Sequence, residues 1–252
     1  MRLGFKIPLI GFTMLVLLVP ILLLNGLVYE RQQRAAEVRA EVAQSSSRAQ
    51  RVTGPLLRVE IERAVPERRL VMEEGVQREV VETKTVREAR LLLPARLVYE
   101  ASFNSERRGR SLFLALLYHL KLKASAEFDT AGLLGEGERA IRADLLLGLG
   151  DNRGIRSLAL SAGGKPLSVE PGAQLPWLEA GVQASLPLPQ LEARQLSVQL
   201  DAEISGTEAL DFVPVGADTE VRLAGDWPHP SFGGDLLPQA PELSDDGFSA
   251  QW

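Results

Sequence analysis

The chain has 252 residues, 45% of them apolar and 24% charged, with a formal net charge of −5 and no cysteine. The acidic balance argues against nucleic acid, whose recognition calls for a basic face. Without cysteine there are no thiol nucleophiles, thiolate metal sites or disulfides, so an exported domain must hold by its core alone.

The first element is the uncharged run Ile7 to Tyr29. As a helix it is about 34 Å long, enough to cross a hydrocarbon core of about 30 Å. Arg2 and Lys6 precede it, and residues of both signs follow from Glu30 onward. A short basic leader favours a cytoplasmic N-terminus with the following chain outside. The competing reading is a cleaved signal peptide. Its apolar core would be about 7–15 residues, with small residues just beyond, and Glu30-Arg31-Gln32-Gln33-Arg34 offers none. Pro20 predicts a kink in the span.

Residues 30–50 are rich in Ala, Glu, Arg and Gln, which extend a helix. Glu30 and Arg34 stand in the favourable i, i+4 order, and Ala35, Val38 and Val42 make a thin apolar stripe. Ser45-Ser46-Ser47 weakens the helix, and Thr53-Gly54-Pro55 is expected to end it. A coupling stalk and a solvated helix end are both open readings. The expected organisation is a leader over 1–6, a transmembrane helix over 7–29, a helical stalk over 30–53 and an extracytoplasmic β-rich domain over 54–252.

From Gly54 the periodicity changes to two. Leu56 to Ile61 reads as a first strand, and Leu70–Met72 with Val76–Val81 as a hairpin turning at Glu74-Gly75. Leu120, Leu122, Ala124, Ala126 and Phe128 alternate with other residues, as do Leu196, Val198, Leu200, Ala202 and Ile204. Val221 and Leu223 give another strand. Turns are expected at Ala162–Lys165, Glu170–Gly172 and Val213–Gly216, with a short helix near Thr130–Leu134. The run Ser111 to Leu122 fits a buried helix or a buried strand; its continuation into strict alternation favours strand. Many short strands separated by turn signals predict a mainly β fold, an N-terminal transmembrane helix followed by an antiparallel β-sandwich-like domain.

Chemistry is sparse. Gly148-Leu149-Gly150-Asp151-Asn152-Arg153-Gly154 is close to a dinucleotide loop, but a strand, Ile155–Leu160, follows where a helix should receive the pyrophosphate. A hairpin turn over Gly150–Gly154 is the expectation. Gly164-Lys165 runs into Pro166, and there is no G-x-S-x-G elbow for an activated serine. His119 and His229 are the only histidines and lack partners at metal-ligand spacing. Glu60 and Glu62 share a strand face, where solvated charge is the ordinary role. No catalytic, cofactor or metal residues are therefore assigned.

The C-terminal third carries recognisable text. Trp227-Pro228-His229-Pro230-Ser231-Phe232 and Gly247-Phe248-Ser249-Ala250-Gln251-Trp252 resemble the CreD family of bacterial inner-membrane proteins. Ser205-Gly206-Thr207 leading to Val213-Pro214-Val215-Gly216, Gly150-Asp151-Asn152-Arg153-Gly154-Ile155, and Glu170-Pro171-Gly172 are similar to further stretches of that family. The resemblance runs over essentially the whole chain and covers about the N-terminal half of a typical member. It implies an envelope protein tied to stress responses, and it supplies no catalytic residues.

The leading expectation is a non-enzymatic, membrane-anchored envelope-integrity protein acting through a periplasmic domain. The alternative is a periplasmic ligand-binding or sensing module for a cell-wall or lipid component, which an apolar cleft would favour. The expected partners are the lipid bilayer and other envelope proteins, with no nucleic acid. Trp227–Phe232 is read as a rigid loop packing aromatics on the sheet, with a partner-binding loop as the other reading. Because the resemblance covers only about half of a family member, it implies an incomplete domain, with its loose end expected over Leu236–Trp252, where Asp245-Asp246-Gly247 offers no core pattern.

Overall fold

A computed structural model describes residues 3–45, 47–73, 76–110, 113–173, 175–178 and 180–252. One helix, α1 (Leu3–Ser45), leads into two β-sheets. At 1.5 Å per residue α1 is about 65 Å long, twice what a bilayer core needs. Its most apolar stretch, Gly11–Arg34, is long and apolar enough to span a membrane and is not covered by the rest of the chain. Leu15, Leu22, Leu23 and Leu27 are all more than half exposed, as lipid-facing side chains would be. The helix continues through Pro20. Arg34 and Glu30 form their i, i+4 pair at 3.1 Å on the solvated face, where such pairs contribute little. The side chains of the expected Ala35, Val38, Val42 stripe lie outside the described residues.

The helix stops at Ser45, earlier than its sequence signals predict, and strand β1 (Gln50–Glu73) has begun before Gly54. Gly54-Pro55 is a bulge inside that strand, where the register with its neighbour shifts between Thr53 and Leu56. β1 organises the first sheet. On one side it pairs with β5 (Glu138–Leu149), which leads to β9 (Ala180–Ser185) and β8 (Val169–Pro171). On the other it pairs with β2 (Val76–Leu92) and, over Gln50–Thr53, in parallel with β11 (Leu210–Val213). Glu73 pairs with Val76, as expected of the hairpin; the turn residues Glu74 and Gly75 lie outside the described residues.

The second sheet holds, in spatial order, β13 (Gln239–Ser244), β14 (Gly247–Gln251), β12 (Asp218–Gly225), β3 (Arg96–Arg110), β4 (Phe113–Asp129), β10 (Gln195–Thr207), β6 (Ile155–Ala162) and β7 (Lys165–Leu167). The ambiguous apolar run is strand from Phe113 on; Ser111 and Leu112 lie outside the described residues. β6 and β7 join through Gly163-Gly164, both at positive φ, the backbone that a two-residue turn requires. Pairing is antiparallel except for β1–β11 and β12–β3.

The two period-two runs lie side by side, Leu196 opposite Phe128 and Ile204 opposite Leu120. Their even-numbered residues all point inward. They meet Leu57, Val59 and Ile61 of β1 and Ala143, Leu145 and Leu147 of β5 in one core between the sheets. Each Leu, Val, Ile or Phe among them contributes about 1.5–3 kcal/mol by leaving water, which is how a chain without disulfides holds two sheets together.

Three expectations are corrected. Thr130–Leu134 is a turn, closed by Leu133 N–H donating to the Thr130 carbonyl, and not a helix. The stretch Gly150–Gly154 holds a single 3-10 turn, Asn152–Gly154, and is not a hairpin, because β5 belongs to the first sheet and β6 to the second. The expected loose end is the β13–β14 hairpin, turning at Asp245-Asp246. Phe248 and Ala250 are buried there and β14 pairs with β12. Alternation over four residues was too short to announce that strand.

Candidate functional site: the junction between helix and sandwich

Most of the buried polar residues gather at one place, where the chain leaves α1. Ser47, Gln50, Thr53, Asp151, Ser205 and Thr207 are each less than 10% exposed. Buried polar atoms cost free energy unless they are paired, and here Ser47, Gln50, Asp151, Ser205 and Thr207 are hydrogen-bonded within the cluster. Ser47 Oγ donates to the Ser205 carbonyl at 2.6 Å, and Thr207 Oγ1 donates to the Ser47 carbonyl at 2.9 Å. Arg48 N–H donates to Asp151 Oδ2 at 3.1 Å. The Gln50 amide donates to the carbonyls of Asp151 and Ser205, 3.0 and 3.1 Å away. Tyr118 Oη accepts from Gln50 N–H and donates to the Ala209 carbonyl at 2.7 Å. Residues 47–50 are thus tied to the inter-sheet turn, to the end of β10 and to β4.

Two glycines make this approach possible. A methyl group at Gly154 would overlap the Ser205 carbonyl oxygen, and one at Gly206 would overlap the Tyr118 ring. Asp151 is held by Arg153, whose guanidinium lies 2.7 Å from it, and by the backbone N–H groups of Arg153 and Arg48. The Arg153 hydrogen bond is the main reason its carboxyl is pulled down to about 2, against the opposing effect of burial. Burial pushes the Tyr118 phenol up, so it stays a neutral hydroxyl.

The sequence text named Asp151, Gly154, Ser205, Gly206 and Thr207 within two separate stretches and assigned them no role. Ser47, Gln50 and Tyr118 were not singled out for this role, because a lone buried polar residue leaves no periodic signal. The donors and acceptors described here are used internally. The arrangement can fix the angle between helix and sandwich and transmit force.

A second constellation was not expected. Ser205 Oγ lies 3.0 Å from His119 Nδ1, and His119 Nε2 lies 3.2 Å from Glu106 Oε2. A nucleophile, a base and a carboxylate therefore meet across β10, β4 and β3, a pairing the sequence did not offer. Arg156 Nε also donates to the Ser205 hydroxyl at 3.1 Å, occupying an oxygen lone pair that attack would use. Two surface depressions, about 380 and 420 Å³, lie away from Ser205. One lies beside Arg90 and Asp129; the other lies on the outer sheet face around Lys123 and Asp201. The Ser205 set links four strands, β10, β4, β3 and β6.

The remaining sequence candidates are dispersed. Glu62 accepts from Arg87 and Arg139, and Glu60 pairs with Arg58. The His229 carbonyl accepts from Trp227 Nε1 at 2.8 Å. Among the described residues no three His, Asp or Glu side chains gather as a metal site. Phe232 packs edge-on against Phe248 and Trp252, with centroids 5.5 and 5.6 Å apart, and Phe103 continues the row to Tyr118. The proline-rich loop therefore does pack aromatics on the sheet, and its row of rings ends at the junction. Arg107 lies 5.2 Å from the centroid of the Trp227 ring.

The pattern of the family described as inner membrane protein CreD matches residues 2–252. The chain belongs to the CreD family. The inner membrane protein CreD of Escherichia coli (strain K12) is 32% identical over 246 residues, covering 94% of this chain and 52% of that protein. The CreD-family chain thus spans about half the length of that curated relative. Two of the stretches through which it resembles the family, 150–155 and 205–207, converge on the junction.

Proposed function

We propose that this CreD-family chain is a membrane-anchored envelope-integrity protein that acts through contacts of its extracytoplasmic domain and catalyses no reaction. The observation that carries the reading is the junction. A long helix leads into a buried, hydrogen-bonded polar cluster that joins both sheets, as expected of a part that holds the domain at a set height and angle over the membrane. The filled core between the sheets supports contact at the outer surface over capture of a ligand inside. The basic leader, Arg2 and Lys6, supports a cytoplasmic N-terminus and a periplasmic domain.

The test is to uncouple the two parts. A flexible Gly-Ser insert of about 15 residues after Ser45 lets the domain wander about 20 Å. In a host lacking its own copy, the inserted protein should accumulate in the membrane normally, yet lose its crosslinked envelope partners and fail to restore detergent resistance. Full restoration by the inserted protein would defeat the reading.

A further inference from the structure

Ser205 serves the junction with its main chain and a second network with its side chain. Its carbonyl accepts from Ser47 Oγ and from the Gln50 amide, at 2.6 and 3.1 Å. Its hydroxyl meets His119 Nδ1 and Arg156 Nε, at 3.0 and 3.1 Å. The residue follows a bulge, where the register of β10 with β6 shifts between Glu203 and Ile204. A bulge leaves the backbone less tied to its neighbour, so a change at the hydroxyl reaches the carbonyl.

The direction of each hydrogen bond follows from which groups must donate. Arg156 is always a donor, so Ser205 Oγ accepts from it. The Glu106 carboxylate only accepts, so in neutral His119 the ring proton sits on Nε2, facing Glu106 Oε2 3.2 Å away. Nδ1 is then an acceptor and takes the Ser205 hydroxyl proton. The donors run from Arg156 on β6 through Ser205 on β10 and His119 on β4 to Glu106 on β3.

A second ring proton reverses the middle bond. Nδ1–H then donates to an oxygen that already accepts from Arg156, and the Ser205 proton loses its acceptor on a residue that is 4% exposed. Imidazolium and guanidinium then share one hydroxyl, while Glu106 draws the ring toward β3. The other charges around the ring are matched. Lys121, two residues along β4, stands opposite Glu203 of β10. Asp226, after β12, accepts from Ser105 N–H, and Arg153, in the turn beside Ser205, is held by Asp151. The last turn of α1, Val42–Ser45, is uncharged. The His119 side chain is about half exposed, so protons reach it from the medium.

We propose that His119 is a proton-operated latch on the junction: neutral, it takes the Ser205 hydroxyl and holds the end of β10 against Ser47 and Gln50; protonated, it swings to Glu106 and the junction loosens. The latch rests on the junction reading above, in which residues 47–50 set the angle of the domain, and adds acid as its control.

The chain has no cysteine, so a nitroxide can be attached at Ala49→Cys, an exposed position between Ser47 and Gln50, in the full chain in phospholipid nanodiscs. From pH 8 to pH 5, the range over which histidine ordinarily charges, the mobile fraction of the label should rise about two-fold or more. Asp151 keeps its charge throughout, since its carboxyl is held at about 2. A label at Lys84→Cys, on the β1–β2 ribbon, should not respond. His119→Gln, which gains no proton, should hold the Ala49→Cys label at its pH 8 mobility throughout. Glu106→Gln removes the charge that attracts the protonated ring, so the midpoint of the response should fall by about 0.5 pH unit or more. A parent label with the same mobility at pH 8 and pH 5, or an equal rise in His119→Gln, overturns the latch. Circular dichroism checks that each variant is folded; should His119→Gln not be, the Glu106→Gln midpoint decides, and an unmoved midpoint overturns the proposal. The purified chain carries no partner, so a negative result here removes the latch and leaves the envelope role to the insertion test.

Discussion

Asp151 is where a single side chain has the widest reach, since it holds Arg48 and Arg153 while its backbone meets Gln50. Its carboxyl titrates lower in the folded state, at about 2, than the ordinary value of 3.8. A depressed carboxylate contributes stability that is complete above the unfolded value and is lost as pH falls through the folded one. Acid unfolding of the full chain in micelles should therefore show a component between about pH 4 and pH 2 that disappears in Asp151→Asn. An identical acid limb in the variant would show that the carboxylate does not contribute. Gly154 is the steric counterpart. Gly154→Ala has to push back the Ser205 carbonyl and the Gln50 side chain, both already bonded, so it should cost about 1–3 kcal/mol. Urea unfolding followed by circular dichroism measures this, and a wild-type midpoint would mean the junction yields freely.

Among elements, β1 has two lives. Over Leu57–Ile61 it is flanked by β2 and β5 and buried in the core. Beyond Arg63, the last of its residues to pair with β5, it continues for ten residues paired only with β2. A two-stranded ribbon is marginal by itself, and charges along it discourage pairing with other edges. Deleting residues 67–82 and closing the strands with Asn-Gly should shift the melting temperature by less than about 3 °C. A loss of more than about 10 °C would show that the arm helps to hold the core. The C-terminal hairpin differs in this respect, since Phe248 lies in contact with Phe103 and Phe232.

At the scale of the whole molecule, one continuous helix and two sheets meet at a single buried polar cluster. The helix belongs to a CreD-family inner membrane protein. The leader predicts which side the sandwich occupies. Alkaline phosphatase fused after Gly132, in an open turn, should be active, and a cytoplasmic green reporter at the same site should be dark. A bright reporter with a silent phosphatase reverses the orientation.

Local pattern was enough for much of this. The uncharged run Ile7–Tyr29 reads as a span because bilayer thickness sets a length that sequence displays directly. Leu120–Phe128 and Leu196–Ile204 read as half-buried strands because the side chains of a strand alternate faces. Gly163-Gly164 marked a turn because few other residues adopt their backbone angles, whereas Gly54-Pro55 and Glu170-Pro171 lie inside β1 and β8. Partnership was not local. Nothing in β5 or β6 says that they belong to different sheets, so Gly150–Gly154 looked like a hairpin. Four residues of β1 pair in parallel with β11, 160 positions later, and only closure of the sandwich brings them together. The junction lay hidden for the same reason. Ser47, Tyr118, Asp151 and Ser205 come from four distant stretches, and polar residues reveal no burial until packing has removed their water. Sequence by itself therefore determined the anchor, the fold class and the family. The tertiary structure alone decided which strands face each other and which polar residues lock the helix to them, because those depend on contacts between stretches that carry no signal of one another.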